Sequence, residues 1–372
     1  MASTLITKLP SLQCVLTQSP FDDKIIMTEQ EAFWIQTEDW HTAGEPFRIV
    51  PDLPPHCTTT GNTVWERRLN IMKEPNHPLD LLRQSLCHEP RGHADMYGGF
   101  IVPPNDSGAH FGVLFWHRDG FSTACGHGTI ALGRYAVAKG LVESVKDGSV
   151  EVIIDVPSGR VAADVNFKDG KVIHVDFVNV KSYQFAKDLP ISVILQGGET
   201  LDLSVNLSWG GASIASVDAR DIGIEIEPAN SQRFIGLASQ IKTKLGKQGD
   251  HAGTSLYVVC FFQTLSDSSQ AIEQKNVVVY AEGAIDRSPC GSGTGARVAV
   301  LLAQGKLNGG KKLIHHSIIN TTFEASVVSQ QQDEGAEFPT CIPKVRGNAF
   351  LTGRHSFYID PNDPTYPGFF FS

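Results

Sequence analysis

One stretch of this sequence occurs twice, as Cys125-Gly-His-Gly-Thr-Ile-Ala-Leu-Gly-Arg-Tyr-Ala-Val-Ala-Lys-Gly140 and as Cys290-Gly-Ser-Gly-Thr-Gly-Ala-Arg-Val-Ala-Val-Leu-Leu-Ala-Gln-Gly305. Aligned on their cysteines, the copies share Gly126 with Gly291, Gly128 with Gly293, Thr129 with Thr294, Ala131 with Ala296, Ala138 with Ala303 and Gly140 with Gly305. Runs rich in Val and aromatics, HFGVLFWHRD and NVVVYA, precede them. This order predicts a strand before each Cys and a helix after it that stops at Gly140 or Gly305. Each Cys then sits at a helix N-terminus, where unpaired N–H groups and the positive end of the dipole favour anions. The setting predicts a lowered thiol pKa and a place for a carboxylate. The glycine after each Cys leaves the N–H groups open to a ligand.

Two similar thiols suit proton transfer. Inversion at a carbon acid needs a base on one face and an acid on the other, with roles exchanged in reverse, so the groups should be chemically alike. A single buried Cys is usually a small hydrophobe; the duplicated glycine-rich setting argues otherwise here. No metal is expected, since neither copy offers Cys-x-x-Cys or a His-x-x-x-His partner. Gly291-Ser-Gly293-Thr-Gly295 lacks the third spacing of a dinucleotide fingerprint and the Gly-Lys-Ser/Thr of a P-loop.

At 372 residues the chain can hold two domains of ~100–200 residues each. With 41% hydrophobic and 19% charged residues, it has the composition of an ordinary globular protein. A net charge of −9 without a basic stripe disfavours nucleic acid as a partner and leaves a small zwitterion open. The seven cysteines are odd in number and irregularly spaced, which argues against a disulfide framework. No run has the ~18 apolar residues of a membrane span, and the N-terminus shows neither a secretory apolar region nor an Arg-rich bias. Cytoplasm is the expected location, with no membrane partner.

Residues 1–30 read as a surface extension. FWIQTEDWHTAGEPFRIV reads as a strand, a turn at Ala43-Gly44-Glu45-Pro46 and a second strand, with His41 and Glu45 as structural turn residues rather than catalytic ones. Two helical segments divided by Pro75 and Pro78 follow. Gly98-Gly99 suggests a close backbone approach. After the first Cys-helix, residues 149–185 read as alternating strands with a turn at Lys168-Asp169-Gly170-Lys171, and a meander around one long helix suggests a barrel-like sheet. The polar segment Lys187-Asp188-Leu189-Pro190 is the expected domain crossing. Strands, the helix SQRFIGLASQIKTKLG, more strands and the second Cys-helix then repeat the order, and SQQQDEGAEFPT reads as an exposed loop.

STACGHGTIA and DRSPCGSGTGA resemble the two active-site motifs of the proline racemase family, which also includes 4-hydroxyproline epimerases and trans-3-hydroxyproline dehydratases. DWHTAGEPFRIV, EPRGHADMYGG, WGGASIASVDA and GNAFLTGRHSFYIDPNDPTYPGF extend the resemblance from Asp39 to nearly the C-terminus. The resemblance implies an α/β fold of two pseudo-symmetric domains of the diaminopimelate-epimerase type, each a barrel-like sheet around a central helix, with the site in the cleft between them. The expected bounds are 31–187 for the first domain, completed by C-terminal strands over 342–372, and 188–341 for the second. A homodimer is carried as an expectation.

For the site, the resemblance implies cofactor-independent catalysis by Cys125 and Cys290 on either side of the α-carbon of proline or a hydroxyproline. The N–H groups of Gly126, His127, Gly291 and Ser292 would hold the substrate carboxylate, and His127 and Asp286 would lie beside its ammonium. Tyr280 matches an aromatic that flanks the substrate ring in racemases; the alternative is a strand residue packed in the core. The sequence departs from the usual pattern at Ala212, Ser213 and Ile214, where relatives often carry Asn and aromatics, and at Ser292, where many have Thr.

The first functional reading is an amino-acid racemase or epimerase. A 3-hydroxyproline dehydratase is the alternative, because ALGRYAVAKGLV and CGSG resemble that branch. Dehydratases of that branch tend to replace the second Cys with Thr, so Cys290 favours inversion. A non-catalytic amino-acid-binding protein is a third reading, opposed by the two intact cysteines.

Overall fold

The computed structural model describes residues 31–308 and 310–370; the extension expected over 1–30 lies outside the described residues. Local chemistry explains many element boundaries. Ala43 and Gly44, with φ of 51° and 95°, reverse the chain between β1 (Phe33–Thr42) and β2 (Glu45–Val50). Helix α1 (Val64–Lys73) opens on a capping box in which Thr63 and Glu66 satisfy each other's N–H groups. Helix α2 (Pro78–Cys87) starts on Pro78, whose missing N–H costs nothing there.

The first half continues with β3 (Tyr97–Val102), β4 (Phe111–His117), β5 (Gly120–Phe121), α3 (Gly126–Ala138), β6 (Gly148–Val156), β7 (Gly159–Lys168) and β8 (Lys171–Val178). The second runs β9 (Ser182–Ile194), β10 (Thr200–Trp209), β11 (Ser213–Asp218), α4 (Ala219–Ile222), α5 (Ser231–Leu245), β12 (Val258–Asp267), β13 (Ala271–Tyr280), β14 (Ala284–Asp286), α6 (Gly291–Ala303), β15 (Lys312–His316), β16 (Thr322–Gln331), β17 (Thr340–Gly347) and β18 (Ala349–Ile359). The expected strand, turn and helix signals recur here. Both cysteine helices end ahead of left-handed glycines, Gly140 at φ 67° and Gly305 at φ 69°. Asp169 and Gly170 turn β7 into β8 with φ of 51° and 71°.

The strands form a large mixed sheet. In the first half β1–β2 is antiparallel, β2–β3 parallel, β3–β4 and β4–β5 antiparallel, β4–β6 parallel, and β6–β7 and β7–β8 antiparallel. The same senses recur in the same order through β10–β11, β11–β12, β12–β13, β13–β14, β13–β15, β15–β16 and β16–β17. Strand β9 pairs with both β10 and the start of β17, closing the second run into a ring of strands. The end of β17 pairs with β8, and β18 then lies along β1, so the C-terminal strands return to the first run. Lys187–Pro190, expected as a domain crossing, lies inside β9, where Leu189 and Pro190 pair with β10 and Asp188 takes φ 50°.

Helix α3 packs on β1, β2, β6, β7, β8 and β18, and α6 on β9, β10, β11, β16 and β17. Both are apolar nearly all round, as a helix surrounded by strands must be. Ile130 and Leu132 of α3 and Val298 and Val300 of α6 are wholly buried, each contributing roughly 1.5–3 kcal/mol relative to exposure. Among the described residues no helix is long and apolar enough to cross a membrane.

Candidate active site

Both cysteines occupy helix N-caps. The Cys125 sulfur accepts from the Gly128 N–H at 3.2 Å and the Cys290 sulfur from the Gly293 N–H at 3.3 Å. In both copies the threonine one turn on braces the cap: Thr129 donates to the Cys125 carbonyl at 2.8 Å and Thr294 to the Pro289 carbonyl at 3.0 Å. Cys125 is extended, with φ −153°, whereas Cys290 has φ 61°, a conformation that costs a non-glycine residue on the order of 1–3 kcal/mol. It is held there by Ser288, whose hydroxyl accepts from the Cys290 N–H at 3.0 Å, and by Asn276, which donates to the Pro289 carbonyl at 2.7 Å.

The two helices meet end to end. A Cβ built on Gly126 would stand 2.5 Å from the Gly291 Cα, and one on Gly291 would stand 2.6 Å from the Gly126 Cα. Only glycine allows this approach, so Gly126 and Gly291 each make room for the other helix. The N–H groups of Gly126, His127, Gly291 and Ser292 belong to the first turns of these helices, where no intrahelical partner exists. The tertiary structure thus brings the four expected carboxylate donors to one place. Both thiols are buried there, at 6% and 9% exposure.

The electrostatics correct one expectation. A lowered thiol pKa was expected from the helix ends, but burial pushes both thiols well above their ordinary value. At Cys125 the Gly128 N–H pulls the other way, and Asp286 and Glu45 add to the rise. At Cys290 the charge of Asp286 adds to burial and the Gly293 N–H opposes it. Desolvation acts on the whole thiolate, whereas each helix end supplies one N–H to the sulfur.

His127 is buried with its ring nitrogens 3.5 and 3.6 Å from the Cys125 sulfur. Burial lowers it to about 3, so it is neutral beside the thiol. Asp286 is raised by burial to about 6 despite accepting from the Ser288 N–H at 2.8 Å and the Ser288 hydroxyl at 2.7 Å. The Ser292 hydroxyl is buried with no hydrogen-bond partner among the described residues. Tyr280 is buried and donates to Glu45 at 3.3 Å, and its ring lies 5.7 Å from Tyr97 and 6.2 Å from Tyr257.

Sequence reasoning set Glu45 aside as a turn residue. It is wholly buried, and burial followed by the charge of Asp286 holds its carboxyl well above the usual range. No spacing rule reveals this, because its partners Tyr280 and Arg287 lie more than two hundred positions away. Tyr97 and Tyr257 were also missed. Their hydroxyls meet at 3.4 Å, and the Tyr97 ring stands edge-on to His127 at 5.0 Å. A cavity of about 670 Å³ opens beside the first cysteine loop, lined by Ser122 and Thr123 on one side and Ser255 and Tyr257 on another. Neither thiol lines it, but Tyr257, Tyr97 and His127 connect it to Cys125. Among the described residues no group of three His, Cys, Asp or Glu side chains is placed to hold a metal ion.

The family model for proline racemase matches residues 38–370. The chain is 36% identical over 343 residues to the trans-3-hydroxy-L-proline dehydratase of Bacillus cereus, covering 90% of this chain and 97% of that protein. It is 34% identical over 339 residues to the proline racemase of Clostridioides difficile, with the same coverage of 90% and 97%. The crystal structure of a hydroxyproline epimerase from Agrobacterium vitis, with bound trans-4-hydroxy-L-proline, has a TM-score of 0.78 at 24% identity, covering 90% of this chain and 95% of that one.

Proposed function

The chain belongs to the proline racemase family, and from that premise we propose that it is a cofactor-independent racemase or epimerase of proline or a hydroxyproline. One observation carries this reading. Two cysteines cap helices whose glycines touch, so a small carboxylate on the four N–H groups would have a thiol on either side of its α-carbon. One cysteine, as thiolate, removes the α-proton and becomes a thiol. The opposite cysteine, as thiol, protonates the other face and becomes a thiolate. The reverse reaction exchanges the roles.

A thiol raised by burial is hard to ionise but a strong base once ionised, which an α-proton requires. The helix ends stabilise the charge that moves onto the substrate carboxylate as the α-carbon flattens. Asp286 supplies the counter-charge for the ring ammonium, with neutral His127 beside it. Tyr280 takes the side of the ring. The repeated order of strand pairing supports reading the fold as two pseudo-symmetric α/β domains, 31–187 with 342–372 and 188–341, each a barrel-like sheet around its cysteine helix.

Dehydration of trans-3-hydroxy-L-proline is the second reading, favoured by the 36% identity to the Bacillus cereus dehydratase. Cys290 weighs against it, because elimination needs one base and a departing hydroxide rather than a second thiol. The test is incubation in deuterated water with L-proline, the 4-hydroxyprolines and trans-3-hydroxy-L-proline, followed by NMR. Inversion gives an α-deuterated epimer with the ring intact. Release of water from the 3-hydroxy substrate alone, with no exchange in the others, would replace the first reading by the second.

A further inference from the structure

The β1–β2 turn reaches from the first half of the sheet into the second. Thr42 donates to the His127 carbonyl at 2.8 Å, Thr321 donates to the Ala43 carbonyl at 2.8 Å, and a Cβ on Gly44 would stand 2.6 Å from Ile319. The next residue is Glu45. One of its carboxyl oxygens accepts from the Tyr280 hydroxyl at 3.3 Å and the other from the Arg287 N–H at 2.7 Å. Asp286 accepts from the following N–H, that of Ser288, at 2.8 Å. Consecutive backbone groups therefore hold the two carboxyls side by side.

Among the described residues Glu45 forms no salt bridge, and the nearby charge of Arg287, which favours its ionised form, does not outweigh burial and the charge of Asp286. The Arg287 guanidinium turns away to Asp95 at 2.6 Å and to the Ile285 carbonyl at 2.7 Å. A buried acid without a salt bridge is costly, and a hydrogen-bonding role alone would be met by an amide without that cost. Glu45 shares a face of β2 with Phe47, whose ring stands edge-on to His127 at 5.8 Å, and its charge acts on Cys125 together with that of Asp286 at the end of β14, beside Tyr97 of β3, His127 of α3 and Tyr257.

We propose that Glu45 is a positioning residue of the two-thiol site: from β2 it holds the Tyr280 hydroxyl and the Arg287 N–H and so fixes the 284–288 segment that carries Asp286 toward the thiols. Its charge also opposes ionisation of Cys125, after burial and the charge of Asp286. The catalytic part of this inference rests on the two-thiol reading; the effect on Cys125 does not.

The test uses the full-length protein as wild type, Glu45→Gln and Glu45→Ala. Alkylation of Cys125 by iodoacetamide, followed by peptide mass spectrometry as a function of pH without substrate, reports its ionisation. Gln cannot ionise, so Glu45→Gln should move the Cys125 profile to lower pH while leaving that of Cys341 in place. A purely structural Glu45 would leave both unmoved. In turnover, Glu45→Ala should lower kcat by about 100-fold, as a displacement of about 1 Å does, with little change in KM. Glu45→Gln should recover most of that loss. A Cys125 profile in Glu45→Gln that superimposes on wild type, or a kcat in Glu45→Ala equal to wild type, overturns the proposal. Should Glu45→Ala fail to fold, the Glu45→Gln profile decides. A wild type that turns over no proline refutes the two-thiol function, while the alkylation profiles still judge Glu45.

Discussion

Replacing Gly126 with Ala puts a methyl group where the two cysteine helices touch. The added Cβ would lie 2.5 Å from the Gly291 Cα, 2.8 Å from its carbonyl carbon and 3.0 Å from Phe177 Cε1. Carbon atoms settle at about 3.5–4.0 Å, so the helix ends must part by about 1 Å. Gly126 does not occupy a left-handed conformation, so the effect is steric and not one of backbone freedom. Overpacking of this kind costs about 1–3 kcal/mol of stability. A displacement of 1 Å between base and substrate costs about 100-fold in rate, which equals roughly 2.7 kcal/mol of barrier. Thermal melting reports the first quantity, and α-deuterium uptake by proline or hydroxyproline reports the second. Gly236→Ala is the matched control, since nothing stands within 4 Å of its Cβ and alanine in a helix is favoured by about 0.5–1 kcal/mol. A Gly126→Ala enzyme that melts and exchanges like wild type would refute the claim that this contact sets the spacing of the thiols.

Cys125→Ser and Cys290→Ser should each abolish inversion, because a hydroxyl is a far weaker acid and base near neutral pH; Cys290→Thr should lose inversion while sparing any dehydration of trans-3-hydroxy-L-proline, both followed by NMR. Because burial raises both thiols, alkylation of the free enzyme should be slow at pH 7 and accelerate as pH rises, falling on Cys125 and Cys290 in step with lost activity and blocked by pyrrole-2-carboxylate; activity loss tracking Cys57 or Cys260 instead would contradict the site. Asp286 is raised to about 6, so its contribution to stability is full below its unfolded value and lost as pH rises through about 6. Asp286→Asn should therefore be more stable than wild type at pH 8 by about 3 kcal/mol and little different at pH 3, while activity falls; equal denaturation midpoints at pH 8 would show that Asp286 is not a buried charge.

The local grammar of this protein was written in its sequence. The repeated Cys-Gly-x-Gly-Thr run, the apolar strands before it and the glycines at 140 and 305 act within a few residues of themselves, so cap, helix and stop could be read without knowing the rest of the fold. The same holds for Pro78 at the start of α2 and for the Asp169-Gly170 turn. That the two cysteine segments correspond to each other was legible as a repeat, and the family of the chain followed from the motifs. The contact between Gly126 and Gly291 was not legible, because it is made by residues far apart in the chain once both helices are surrounded by strands. Glu45 looked like a turn residue because its sequence neighbours are turn residues; only the docking of that turn against Tyr280 and Arg287 removes it from water. The sign of the thiol shift was also decided in three dimensions. Helix ends favour a thiolate and burial opposes it, and the balance depends on how completely water is excluded, which distant strands determine.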